Sequence, residues 1–252
     1  TLLPYDFALI ELLVIFVSVS NVIVDSGFSQ AIIRDDNPSE KDLSSVFYFN
    51  IVLSVTLYIL LFFAAPFISI YFETPELTLL SRIVFLIIIF NSFSIIQNAI
   101  LNRDLNFAAV SKSSVIGSFI GGGISIILAI TGFGIWALVA NMVLLPFFRS
   151  LILWHQSSWR PKIMFSLVSI KKYFAFGIFL MLQGVIDTIV THITSIIIGK
   201  VYTKNDLGYY SQGGKLNGYI INPISTIISK VTYPILSKVK NEKERLKDIY
   251  SK

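Results

Sequence analysis

Val22-Ile23-Val24-Asp25-Ser26-Gly27-Phe28-Ser29-Gln30-Ala31-Ile32-Ile33-Arg34 prolongs an apolar run that begins near Phe7. It puts an aspartate, two serines, a glutamine and a glycine where hydrocarbon is expected. A carboxylate at membrane depth is costly, so such residues face a bundle interior or a watery cavity. Backbone loosened at Gly27 is tolerated there because freed polar groups find protein or water partners. The stretch therefore reads as a polar-faced span lining a cavity. The competing reading ends the helix at Asp25, at the interface, and leaves the rest as loop.

The remainder of the chain supports a membrane setting. Of 252 residues, 54% are hydrophobic and 14% charged, and the mean hydropathy is +0.75. Soluble domains carry about 25% charged residues. About seven apolar runs approach the roughly 20 residues a helix needs to cross a bilayer. They cover Phe7 to Val24, Val46 to Phe63, Leu79 to Leu101, Ala108 to Ile130, Ile135 to Trp154, Lys171 to Ile198 and Leu216 to Leu236. The fold class expected is all-α, a polytopic helical membrane protein. Residues 1–170 form about five spans, and residues 171–252 form about two spans and a charged connector. Starting at Thr1 with no signal peptide ahead of its first span, the chain is expected to be a fragment of a longer membrane protein.

Polar residues inside these runs are the candidates for function. Asn91, Ser94 and Asn98 fall at helical spacing in the third run, with Gln97 beside them. Asp187, Thr191 and Thr194 share a face of the sixth, which also carries His192. Asp25, Asn91, Gln97, Asp187 and His192 thus point to a substrate or ion path. Interhelical hydrogen bonding is the alternative for each. Glu11 reads as an interfacial residue that snorkels or starts a helix. Gly117 and Gly121 form a small-xxx-small face for close helix approach.

Alternate loops divide the basic residues. Arg34, Lys41, Arg103, Lys112, Arg160, Lys162, Lys171, Lys172 and the basic tail share one side, which the positive-inside rule makes cytoplasmic. The net charge of +5 is then topology, and nucleic acid is not a partner. The absence of cysteine excludes thiolate metal sites. Two histidines without carboxylates at helical spacing make no metal site. No Walker loop, nucleophile elbow or dinucleotide fingerprint occurs. Neither an enzyme nor a cofactor is expected, and any transport would draw on an ion gradient or the membrane potential.

An ordered set of short motifs carries a resemblance. It comprises Pro4-Tyr5-Asp6-Phe7, Val24-Asp25-Ser26-Gly27-Phe28 with Ala31-Ile32-Ile33, Arg103-Asp104-Leu105-Asn106-Phe107 and Gly132-Phe133-Gly134-Ile135-Trp136-Ala137-Leu138-Val139. Trp159-Arg160-Pro161, Phe176-Gly177 and Ile198-Gly199-Lys200 through Leu207-Gly208-Tyr209-Tyr210 follow. Together these resemble the polysaccharide and lipid-linked oligosaccharide flippases of the multidrug/oligosaccharidyl-lipid/polysaccharide exporter superfamily, close to the colanic-acid-type exporters. The resemblance implies two helical lobes, a central cavity and alternating access. It places this chain at spans two through eight, most of the first lobe and the start of the second. It further implies a polyprenyl-pyrophosphate-linked oligosaccharide as cargo, in the bacterial inner membrane, with membrane lipids and the polysaccharide polymerase machinery as partners. Two departures stand out. Ala8 follows Asp6-Phe7 where the family usually has glycine, and Thr194 stands where an acidic residue is common.

A pyrophosphate in a low-dielectric cavity needs cations, and arginine binds it bidentately. Arg34 and Arg103, at the cytoplasmic mouth, are the expected contacts, with plain positive-inside topology as the alternative. A drug or small-cation exporter of the same superfamily would instead use Asp25 or Asp187 for proton coupling. A non-transporting membrane scaffold is the third reading.

Overall fold

The computed structural model describes residues 2–35, 37–216 and 218. Two compact units divide the chain, residues 1–208 and 209–252. The first holds nine helices: α1 Pro4–Asp25, α2 Phe28–Arg34, α3 Glu40–Tyr71, α4 Leu77–Val84, α5 Leu86–Ser92, α6 Ile95–Arg103, α7 Phe107–Ile130, α8 Ile135–Gln156 and α9 Leu167–Val201. No strand occurs among the described residues. Helix also covers 204–216.

These helices make six stretches long and apolar enough to cross a membrane: Pro4–Arg34, Glu40–Tyr71, Leu77–Arg103, Phe107–Ile130, Ile135–Gln156 and Leu167–Val201. The protein is thus an all-α polytopic membrane protein, as expected. The seventh expected span, Leu216 to Leu236, lies outside the described residues apart from Leu216 and Gly218.

Local chemistry sets the boundaries. Asp6 accepts from the Leu3 amide and Pro4 opens α1, where a missing N–H costs nothing. Ser39 and Asp42 cap each other's amides at the start of α3, the reciprocal pairing of a capping box. Asn106 accepts from the Ala109 amide ahead of α7. The third span, expected as one helix, is broken at Phe85 and again at Phe93-Ser94.

The small-xxx-small expectation for α7 holds. A Cβ on Gly117 would stand 3.0 Å from the Arg149 amide nitrogen, and one on Gly121 3.0 Å from that of Leu145. α7 and α8 therefore pack backbone to backbone. Gly123 faces open space.

One core gathers Leu9, Leu12 and Leu13 of α1 with Leu77, Phe85 and Ile88. A second surrounds Phe28 and Ile32 of α2 with Phe47, Ile96, Trp159 and Tyr173. Large side chains such as Phe63, Phe67, Phe119, Ile130 and Phe179 are exposed, as lipid-facing positions require. The segment 157–166 is pinned to α3, with the Lys162 amide donating to Ser44 Oγ and the Ser166 amide to Ser45 Oγ. Within it, the Arg160 guanidinium donates to the carbonyls of Trp154, Ser157 and Trp159 and closes the end of α8.

Candidate functional site

The stretch quoted first decides the local geometry. α1 stops where Ser26 and Gly27 take left-handed conformations, φ 48° and 71°. Only glycine adopts the second without a Cβ penalty. The turn is held by Asp25, whose Oδ1 accepts from the Ser29 amide at 3.2 Å and the Ser29 hydroxyl at 2.5 Å. α2 then resumes, so the polar stretch is a broken helix and not a loop. At the break the backbone meets α9. A Cβ on Gly27 would stand 2.6 Å from the Gly177 carbonyl, and one on Gly177 would collide with the Ser26 carbonyl. Two glycines thus let α2 lie against the start of α9.

That contact opens a recess of about 220 Å³ lined by Ala31, Arg34, Asp35, Lys172, Tyr173 and Phe176. The Arg34 guanidinium lies 4.9 Å from the Phe176 ring centroid, a cation–π distance. Lys172 Nζ reaches Asp35 at 2.6 Å and Asp42 at 3.6 Å, and the Tyr173 hydroxyl donates to Asp35 at 2.7 Å. The Lys172 ammonium, then the Tyr173 hydroxyl, hold the Asp35 carboxyl below the usual carboxylate range. Asp35 and Asp42 take up the charge of Lys172, while Arg34 forms no ion pair among the described residues. The recess therefore offers a guanidinium held over a ring and open toward an anion.

The other expected residues are dispersed. Arg103 ends α6 and pairs with its neighbour Asp104 at 3.2 Å; it does not line the recess. Asn91 donates to Asn21 of α1 at 3.2 Å. Gln97 is fully buried. Its amide, oriented to satisfy both ends, donates to the Phe93 carbonyl at 2.8 Å and accepts from the Trp154 indole at 3.2 Å. Asp187, Thr191 and Thr194 form an exposed polar face on α9.

His192 has a partner that the sequence reading placed elsewhere. Its Nδ1 lies 3.8 Å from Glu11 Oε1, to which the Ser195 hydroxyl also donates at 3.3 Å. The Glu11 side chain is only 11% exposed. Glu11 is therefore not an interfacial snorkelling residue but a carboxylate buried in the α1–α9 seam. Its partners stand 181 and 184 positions away, so no local pattern reveals them. Lys172 and Phe176 were missed as recess residues for the same reason, although Phe176-Gly177 is one of the motifs that carry the resemblance. No group of three or more metal-ligating side chains occurs among the described residues.

Comparison with known proteins gives consistent results. The model of a family described as polysaccharide biosynthesis protein matches residues 1–252. The chain is 26% identical over 231 residues to the teichuronic acid biosynthesis protein TuaB of Bacillus subtilis, covering 91% of this chain and 48% of the relative. It is 23% identical to the succinoglycan biosynthesis transport protein ExoT of Rhizobium meliloti, covering 96% and 49%. It is 20% identical to the lipopolysaccharide biosynthesis protein WzxC of Escherichia coli, covering 96% and 50%. The chain thus spans about half the length of the curated relatives it matches. No solved structure matches it significantly. Six membrane-length helical stretches among the described residues, together with these relatives, make it a multi-pass protein of the bacterial inner membrane.

Proposed function

We propose that this chain, which belongs to the polysaccharide biosynthesis protein family, forms much of a transporter that flips a polyprenyl-pyrophosphate-linked oligosaccharide repeat unit across the inner membrane. In this reading residues 1–170 are most of one lobe and residues 171–252 begin the other. Alternating access is driven by an ion gradient, and the product passes to the polysaccharide polymerase machinery. The protein moves its cargo without covalent chemistry.

The observation that carries the proposal is the Arg34 recess. Basic-loop asymmetry puts it at the cytoplasmic mouth, where a lipid-linked headgroup enters. A guanidinium there can engage two phosphate oxygens at once, and Phe176 holds it in place. Arg103, on the same side, is the second headgroup contact. Asn91 and Gln97 set the wall of the path from α5 and α6, Gln97 from a buried position. Asp187 and His192 on α9, with Asp25 at the break of the first span, are the ion-coupling groups. The likeness to ExoT, a succinoglycan biosynthesis transport protein, and to WzxC, a lipopolysaccharide biosynthesis protein, supports this substrate class.

The test is mass spectrometry of lipids that co-purify with the intact protein and with its Arg34→Ala, Arg103→Ala form. A polyprenyl-pyrophosphate oligosaccharide retained by the parent and lost by the variant is the expected result. Bulk phospholipid alone in both samples would overturn the proposal.

A further inference from the structure

The described part of the chain holds five arginines, and four of them rest on a ring, a carboxylate or carbonyls. Arg34 lies over Phe176, and Arg82 lies over Phe62 with 4.3 Å to the ring centroid. Arg103 pairs with Asp104, and Arg160 donates to three carbonyls. Arg149 has neither a ring nor a carboxylate beside it; the Nε of Arg82 also lacks an acceptor, but its guanidinium rests on Phe62.

Arg149 sits seven residues before the end of α8, about 10 Å inside that end at 1.5 Å per residue. It is half-buried in a stretch long and apolar enough to cross a membrane. A guanidinium has five N–H donors. Here a single hydrogen bond is made, from one terminal nitrogen to Asn98 Oδ1 of α6 at 3.4 Å, the long end of the range. The Nε atom is sealed from solvent and meets no acceptor. No ion pair forms with any described carboxylate. α7 walls in the base of the side chain, since a Cβ on Gly117 would approach Arg149 Cβ to 3.2 Å. The close helix pairing thus seats an arginine whose donors are mostly unused. An unpaired charge at such depth is expensive and marks a functional position.

We propose that Arg149, with Asn98 beside it, is a binding site for the phosphate oxyanion of a lipid headgroup. A phosphate supplies two oxygens to a planar guanidinium fork, which one amide oxygen cannot do. Asn98 keeps the fork oriented and offers an amide N–H to a third oxygen. Two lipids present this chemistry, the pyrophosphate-linked cargo and a resident anionic phospholipid. The site deepens the proposed function if the first occupies it, and stands without that function if the second does.

The experiment is an equilibrium titration of the intact protein in phosphatidylcholine nanodiscs. The probes are a fluorescent polyprenyl pyrophosphate without sugar and, separately, fluorescent phosphatidylglycerol. Arg149→Gln should weaken binding of one probe at least tenfold. Arg149→Lys keeps the charge but loses the fork, and should weaken it by about threefold or more. Arg34→Ala serves as the reference for the recess. Loss of polyprenyl pyrophosphate binding in the Arg149 variants assigns the site to the cargo. Arg149-dependent binding of phosphatidylglycerol alone keeps the site but removes the cargo from it, and failure of the parent to bind polyprenyl pyrophosphate at all tells against the flippase reading. Parent-like binding of both probes by Arg149→Lys and by Arg149→Gln with unchanged thermal unfolding would overturn the proposal.

Discussion

The first span and the last long helix are alike in sequence and opposite in setting. Pro4–Arg34 and α9 both run beyond 30 residues and both carry a carboxylate within an apolar run. Half of the most apolar window of the first span is buried, against 6% of that of α9. The polar groups of the first span are consumed internally, Asp25 by Ser29 and Asn21 by Asn91. Those of α9 divide: His192 and Ser195 face Glu11 of α1, whereas Asp187, Thr191 and Thr194 are exposed. Polar residues of one helix therefore serve two purposes, joining helices on one face and remaining open on another.

The largest effect should come at the junction of the two. Gly177→Ala pushes a methyl group into the Ser26 carbonyl and should cost about 3 kcal/mol, the upper end for overpacking. Thermal unfolding in detergent measures it. Gly123→Ala, where a Cβ meets nothing, should stabilise by up to about 1 kcal/mol from helix propensity. A similar loss at both positions would show that tolerance of bulk is not set by the α1–α9 contact.

Asp25→Ala frees the Ser29 amide and hydroxyl and should destabilise by about 1–2 kcal/mol. Asp187→Ala should stay within about 0.5 kcal/mol, as exposed substitutions do. If Asp187→Ala matched Asp25→Ala, the internal and open settings would not differ. Loss of polysaccharide export by Asp187→Ala without loss of stability would sharpen the contrast instead.

A double-mutant cycle of Glu11→Gln and His192→Gln should give a coupling near 0.6 kcal/mol, typical of interhelical polar pairs in membranes. Zero coupling would remove this seam from the internal class.

The smallest effect concerns pH. Asp35 has a folded pKa below its unfolded value of about 3.9. Its stabilisation is therefore complete above that value and is lost as pH falls through the folded pKa. The pair with Lys172 is solvent-accessible, so the loss should be under about 1 kcal/mol. Unfolding followed below pH 4 should show it in the parent and show it diminished in Lys172→Met, where the Tyr173 hydroxyl still holds Asp35.

Run lengths, caps and the α7 glycines were legible because each is written within a few residues of itself. Asn106 caps three positions ahead, and Gly117 and Gly121 share a face by helical period. Glu11 was misread because seven residues from a helix start is compatible with an interface, and only the fold reveals His192 behind it. Arg149 was overlooked although a charge inside the run from Ile135 to Trp154 is a local signal. What sequence could not show is that its charge goes unanswered, since that depends on every neighbour at once. The breaks at Phe85 and Ser94 carry no glycine or proline, so propensity does not announce them.

Where Ser26 and Gly27 meet Gly177, two segments of the chain touch through main chain. Interlocked side chains resist rotation, because each knob must leave its hole and change rotamer. Bare peptide surfaces have no knobs. The spot fixes the separation of α9 from the first span, since a Cβ on either glycine would force the two apart.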